Sequence, residues 1–109
     1  MDELEDPNAA VGTAEVTADA AGVPVVKLGG EIDMSNVDEL RGVIEPLIED
    51  PRSVVVFDLG ALEFMDSSGI ALLLEVAAVT ETVEVREPSV IVRRIIEATG
   101  LSDVLQIVK

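Results

Sequence analysis

The sequence predicts a single α/β domain in which strands alternate with helices around a largely parallel sheet of four or five strands. Three observations carry this. Ser53–Leu59, SVVVFDL, is a near-continuous β-branched run, which reads as a parallel strand buried on both faces. Apolar residues at helical spacing lie on either side of it, with Val37, Leu40, Ile44, Leu47 and Ile48 on one face before it and a long apolar stretch after Ser68. At 109 residues and 49% hydrophobic, the chain supports one core and is too short for two.

The elements follow in order. Residues 1–12 carry four acids, a proline and no usable period, and are expected to form a mobile acidic tail ahead of a domain over residues 13–109. Thr13–Ala18 alternates weakly and Val25–Leu28 is β-branched; a turn around Gly22 and Pro24 between them predicts a hairpin. Gly29 and Gly30 end the second strand or bulge it. Ser35 is the expected N-cap of the first helix, with Asp38 in capping-box position. Pro46 removes one helical hydrogen bond, so a bend or an early end is expected there.

A helix from Ser68 to about Thr80 follows the central strand, then a strand over Thr82–Val85 and a third helix over Val90–Thr99, with Gly100 as its C-terminal cap. LSDVLQIVK closes the chain as a short helical turn and an edge strand. In the second helix, Ile70, Leu73, Leu74, Ala77 and Ala78 form the expected core stripe. Leu72, Val76 and Val79 fall on the opposite side, which predicts either a docking face or a face covered by Leu101–Val108.

Composition narrows the chemistry. There is no Cys, so there is no disulfide framework, thiol nucleophile or cysteine-based metal site. There is no His, which removes the Ser-His-Asp triad and imidazole ligation. With no Trp or Tyr and two Phe, there is no aromatic platform for stacking bases. A formal charge of −15 repels nucleic acid and anionic lipid and favours a basic protein surface as partner. The opening MDELEDPNAA has no basic n-region or apolar stretch, and no apolar run is long enough to span a bilayer. A cytoplasmic protein with no membrane insertion is therefore expected. No metal or cofactor is expected either. Glu31 and Asp33 form only an isolated E-x-D pair, too weak a signal for a cation site. Enzyme activity is not expected.

The functional signal is Met65-Asp66-Ser67-Ser68-Gly69, joining the buried strand to the second helix. On spacing alone it reads as a helix cap, because Asp and Ser oxygens accept bonds from free N–H groups at a helix start. It also reads as a phosphoacceptor. A hydroxyl at an exposed strand-to-helix turn is accessible to a kinase, and phosphate adds about two negative charges at pH 7. A partner fitted to a neutral serine loses complementarity once those charges arrive.

VVKLGGEIDMSNVDEL, SVVVFDLGALEFMDSSGIALLL and PSVIVRRIIEATGLSDVLQI occur in an order that resembles the STAS domain, and in particular the bacterial anti-sigma factor antagonists. The resemblance covers roughly residues 13–108, with D-S-S-G as its most specific part. It implies a mixed sheet with three main helices packed largely on one side. It also implies that Ser67 is phosphorylated by an ATP-binding serine kinase that is itself the anti-sigma factor. The unphosphorylated form then binds that kinase and frees the sigma factor, and a phosphatase resets the switch. By the same resemblance Asp66, Ser68 and Gly69 shape the acceptor loop, and Asp33 lies near the same surface. Together with the predicted docking face, the expected partner-binding set is Asp33, Asp66, Ser67, Ser68, Gly69, Leu72 and Val76. The apolar helix face would also suit a weak homodimer. A second expectation is a constitutive STAS subunit of another complex, such as a lipid-transport ATPase, with Ser67 serving only as part of a helix cap.

Overall fold

The computed structural model describes residues 11–108. Five strands, β1 (Gly12–Ala18), β2 (Pro24–Ile32), β3 (Val54–Met65), β4 (Thr82–Arg86) and β5 (Leu105–Val108), form one sheet in the order β1-β2-β3-β4-β5. β1 runs antiparallel to β2, and the other neighbours are parallel. The helices are α1 (Val37–Glu49), α2 (Ser67–Ala77) and α3 (Val90–Ala98), and a 3-10 turn spans Leu101–Asp103. The tail expected over residues 1–12 lies outside the described residues except for its last two, and Gly12 already opens β1.

Each parallel connection advances one strand in the same direction. Right-handed crossovers of that kind lay successive helices on one face. The buried cluster agrees: Val26, Leu28, Val55, Phe57, Leu59, Val83, Val85 and Leu105 from the sheet pack with Leu40, Ile44, Leu72, Leu73, Val76, Val92 and Ile96 from the helices.

The expectation that the central strand is buried on both faces is corrected. Val55, Phe57 and Leu59 belong to the core, but Val54 and Asp58, on the alternate face, are only half-buried. Val56 is shielded there yet lies outside the core cluster. That face carries a cross-strand row, Glu15–Lys27–Asp58–Arg86, in which each residue is in register with a neighbour of opposite charge. Opposite charges side by side on a sheet contribute roughly 0.2–1 kcal/mol per pair. A parallel sheet normally needs cover on both faces; this row lets one face remain in water.

Three helical details differ from expectation. The N-cap of α1 is Asn36, not Ser35. Of the two outcomes expected at Pro46, the early end does not occur: the helix runs to Glu49, and Asp50 N–H reaches the Pro46 carbonyl at 3.0 Å. In α2, Leu72 and Val76 are fully buried, whereas Leu74 and Ala78 are exposed. The outward face predicted for Leu72 and Val76 is therefore a core face. An almost uncharged helix has two apolar stripes, and periodicity alone does not say which one meets the sheet. Nor does Leu101–Val108 form the alternative cover over α2: its last four residues add to the sheet edge beside β4. Gly100, at φ 77°, ends α3 as expected.

The Thr80 hydroxyl is buried without a hydrogen-bond partner. Leaving such a group unpaired costs about 1–3 kcal/mol. Thr80→Val is expected to raise the unfolding free energy by about 1 kcal/mol, read as a higher urea midpoint at unchanged m-value.

Candidate functional site

β2 and β3 end together. Ile32 is in register with Met65, and the ladder closes with Asp66 N–H donating to the Ile32 carbonyl at 3.1 Å. The residues that follow, Asp33 and Ser67, thus leave the sheet from adjacent strand ends. The two segments singled out in the sequence meet at one edge.

The Asp33 loop is held by its own side chains. Asp33 Oδ1 accepts from Ser35 N–H at 2.8 Å and from the Ser35 hydroxyl. Asn36 is buried; its Oδ1 accepts from Asp33 N–H at 3.1 Å, and its Nδ2 donates to the Glu31 carbonyl at 2.8 Å. The Ser35 hydroxyl, and then its N–H, hold the Asp33 carboxyl below the usual aspartate range. Gly30 just upstream has φ 74°, and a Cβ there would lie 2.1 Å from the Val11 carbonyl oxygen. Only glycine fits this bulge, which shifts the β2–β3 register before the loop.

The second segment begins α2. Asp66 is the N-cap, and its Oδ1 accepts from Ser68 N–H at 2.8 Å. Ser67 is exposed and Ser68 half-buried. The cap bond uses Asp66 and the Ser68 backbone, so the Ser67 hydroxyl takes no part in it. Gly69 is buried; a Cβ there would lie 2.8 Å from Met65 Cβ and 3.3 Å from Ile32 Cγ2. The missing side chain is what allows the first turn of α2 to sit on the ends of both strands.

Asp33, Asp66, Ser67, Ser68 and Gly69 are thus brought together. Leu72 and Val76 lie beneath them in the core and present no surface. Sequence reasoning missed Asn36, although an asparagine just before an apolar-periodic run is an N-cap signal. It also missed Arg41, which donates to Glu75 on α2 at 2.8 Å and to Asp38, tying α1 to α2. No sequence spacing reveals that pair. Met34 and Phe64, 81% and 44% exposed, put apolar side chains in the same two segments. Among the described residues no three acidic side chains converge closely enough to hold a metal ion. Nor is any helix there long and apolar enough to cross a membrane.

Residues 16–108 match the family model described as "Mlab, STAS domain". The chain belongs to the STAS domain family. A curated relative, the anti-sigma F factor antagonist of Lysinibacillus sphaericus, is 33% identical over 82 residues, covering 71% of this chain and 70% of that protein. The anti-sigma-F factor antagonist RsfB of Mycobacterium tuberculosis is 39% identical over 56 residues, so the chain spans about half of that relative, 46% of its length. An anti-sigma factor antagonist from Mycobacterium paratuberculosis superposes with a TM-score of 0.73 at 32% identity, covering 94% of this chain and 87% of that one. The antagonist SpoIIAA in its unphosphorylated form superposes with a TM-score of 0.70 at 26% identity, covering 89% of each chain. The mixed sheet and three helices of this STAS domain are those of that fold.

Two predictions follow from the geometry. Gly69→Ala should destabilise the domain by about 1–3 kcal/mol in urea unfolding, because backbone-near contacts must shift. The Asp33 carboxyl, lowered in the folded state, adds stability that is present above the ordinary aspartate range and lost as pH falls through its folded value. Melting temperatures of wild type and Asp33→Asn should therefore differ at neutral pH and converge in acid.

Proposed function

We propose that this STAS domain is an anti-sigma factor antagonist whose binding is switched off by phosphorylation of Ser67. The observation that carries the reading is the division of labour in the turn: Asp66 caps the helix while the adjacent Ser67 is exposed with its hydroxyl outside the cap. The relatives named as antagonists support the binding role. The partner is an ATP-binding serine kinase that acts as the anti-sigma factor.

In the binding-competent form, Ser67 is neutral and the partner seats against the edge formed by Asp33, Asp66, Ser67, Ser68 and Gly69. The kinase transfers the γ-phosphoryl group of ATP to Ser67 Oγ, which loses its proton, and ADP departs. The product carries about two extra negative charges beside Asp66 and close to the Asp33 loop. The start of α2 tolerates the phosphate, since free N–H groups and the helix dipole favour an anion there. A closely docked partner does not, because it was fitted to a small neutral hydroxyl. A phosphatase restores binding by hydrolysing the ester to serine and inorganic phosphate. The chain is the substrate of this chemistry and supplies none of its catalysis.

The test is affinity capture from cells of the source organism with wild type, Ser67→Ala and Ser67→Glu as baits, followed by mass spectrometry and phosphosite mapping. The expected result is one ATP-binding kinase held by the first two baits, bound at least about tenfold more weakly by Ser67→Glu. Retention of one transporter ATPase by all three, with no phosphate on Ser67, would instead assign a constitutive subunit role.

A further inference from the structure

β4 pairs with only the first part of β3. Its last register partner is Asp58, opposite Arg86, whereas β3 continues to Met65. From residue 59 onward β3 has β2 on one side, and on the other side no strand among the described residues. The overhang is partly open to solvent: Gly60, Ala61, Glu63 and Phe64 are exposed, while Leu59 and Leu62 turn into the core. Asp58 Oδ1 takes the Gly60 N–H at 3.0 Å, which settles one backbone donor at the root of the overhang. Beyond it the free side of β3 runs directly to Asp66 and Ser67.

Exposed strand edges pair readily, and proteins usually blunt them with Lys, Pro or cover. The residues exposed here are Gly, Ala, Glu and Phe. The carboxylates near the overhang set the chemistry of whatever pairs with it. Glu63 lies on it, Glu31 is in register with Phe64, Asp66 follows it, and Glu87 sits at its root with its Cβ 3.4 Å from a Cβ built on Gly60. Arg86, in register with Asp58 at the root of the overhang, leans toward Glu84 at 3.8 Å. An incoming segment must be extended to use the backbone and basic to match the charge.

We propose that the outer half of β3, residues 59–64, is a pairing edge for an extended basic segment of the anti-sigma partner, which continues the sheet where β4 stops. The inference rests on the functional reading above. It adds a reason for the switch to be sensitive, since a strand laid along this edge ends beside Ser67, and phosphate there meets the end of the paired segment.

The test is hydrogen exchange on the Ser67→Ala chain, free and bound to the purified anti-sigma kinase captured by that bait. Among residues 60–64, the amides that bond neither to β2 nor to Asp58 should exchange quickly in the free chain and slow by about tenfold or more in the complex. Those of Val55–Phe57, already between two strands, should not change. Glu63→Lys should bind several-fold more weakly without loss of folded circular dichroism. An intact complex with unchanged exchange at 60–64 overturns the edge and leaves the functional reading standing. Equal affinity for Glu63→Lys overturns the basic segment. Failure of the unphosphorylated chain to bind any anti-sigma kinase overturns both the reading and this inference.

Discussion

The site depends on one ladder closure. Asp66 N–H donates to the Ile32 carbonyl where β2 and β3 end together. Those strands run side by side and parallel, so the segments after them, thirty-odd residues apart in sequence, leave the sheet at the same edge. An antiparallel pairing would have sent the Asp33 loop and the D-S-S-G turn to opposite ends. Glycine at 69 lets α2 begin against those strand ends, and glycine at 30 makes the bulge that sets the approach of the Asp33 loop. The Arg41–Glu75 pair then ties the two helices that grow from these loops. It is partly exposed, so it contributes modestly to stability and chiefly fixes orientation.

A one-sided sheet shapes the rest of the molecule. All three helices share one core with alternate residues of the strands. The other face would be a liability in a parallel sheet if it were apolar. Here Glu15, Lys27, Asp58 and Arg86 alternate in charge across four strands. The formal charge of −15 is unevenly spread: on the open face Lys27 and Arg86 offset two of the three acids Glu15, Asp58 and Glu84, whereas residues 31–36 and 60–69, at the edge of the candidate site, carry Glu31, Asp33, Glu63 and Asp66 and no Lys or Arg. An edge of that sign attracts basic surfaces and repels further negative charge.

The element order was readable because each element carries its own local signal. The β-branched run of β3, the helical spacing of Leu40, Ile44 and Leu47, and the glycine after α3 all report short-range preferences. The turn containing Ser67 was readable for the same reason: Asp and Ser before an apolar helix mark an N-terminus wherever they occur. The faces of α2 were only partly readable: Ile70, Leu73 and Ala77 pack with the core as expected and Val79 is exposed, but two residues on each side are exchanged. Leu72 and Val76 read as a docking surface because α2 is apolar nearly all round, and only its contact with the sheet shows that Leu74 and Ala78 are the outward pair. Ser35 is the cap that the sequence suggests; in the structure Asn36 takes the N-cap position, with its side chain buried and bonded back to Asp33 N–H and the Glu31 carbonyl rather than to the helix start.

The sequence by itself determined the order and kind of elements, the chemistry excluded by missing histidine and cysteine, and the serine at a helix start. These depend on residue identity and spacing along the chain, which local backbone preferences translate directly. Tertiary structure decided which faces meet, that the Asp33 loop and the Ser67 turn share an edge, and that β3 outruns β4. Those outcomes depend on strand register and crossover direction, which pair residues far apart in the chain and leave no periodic trace in it.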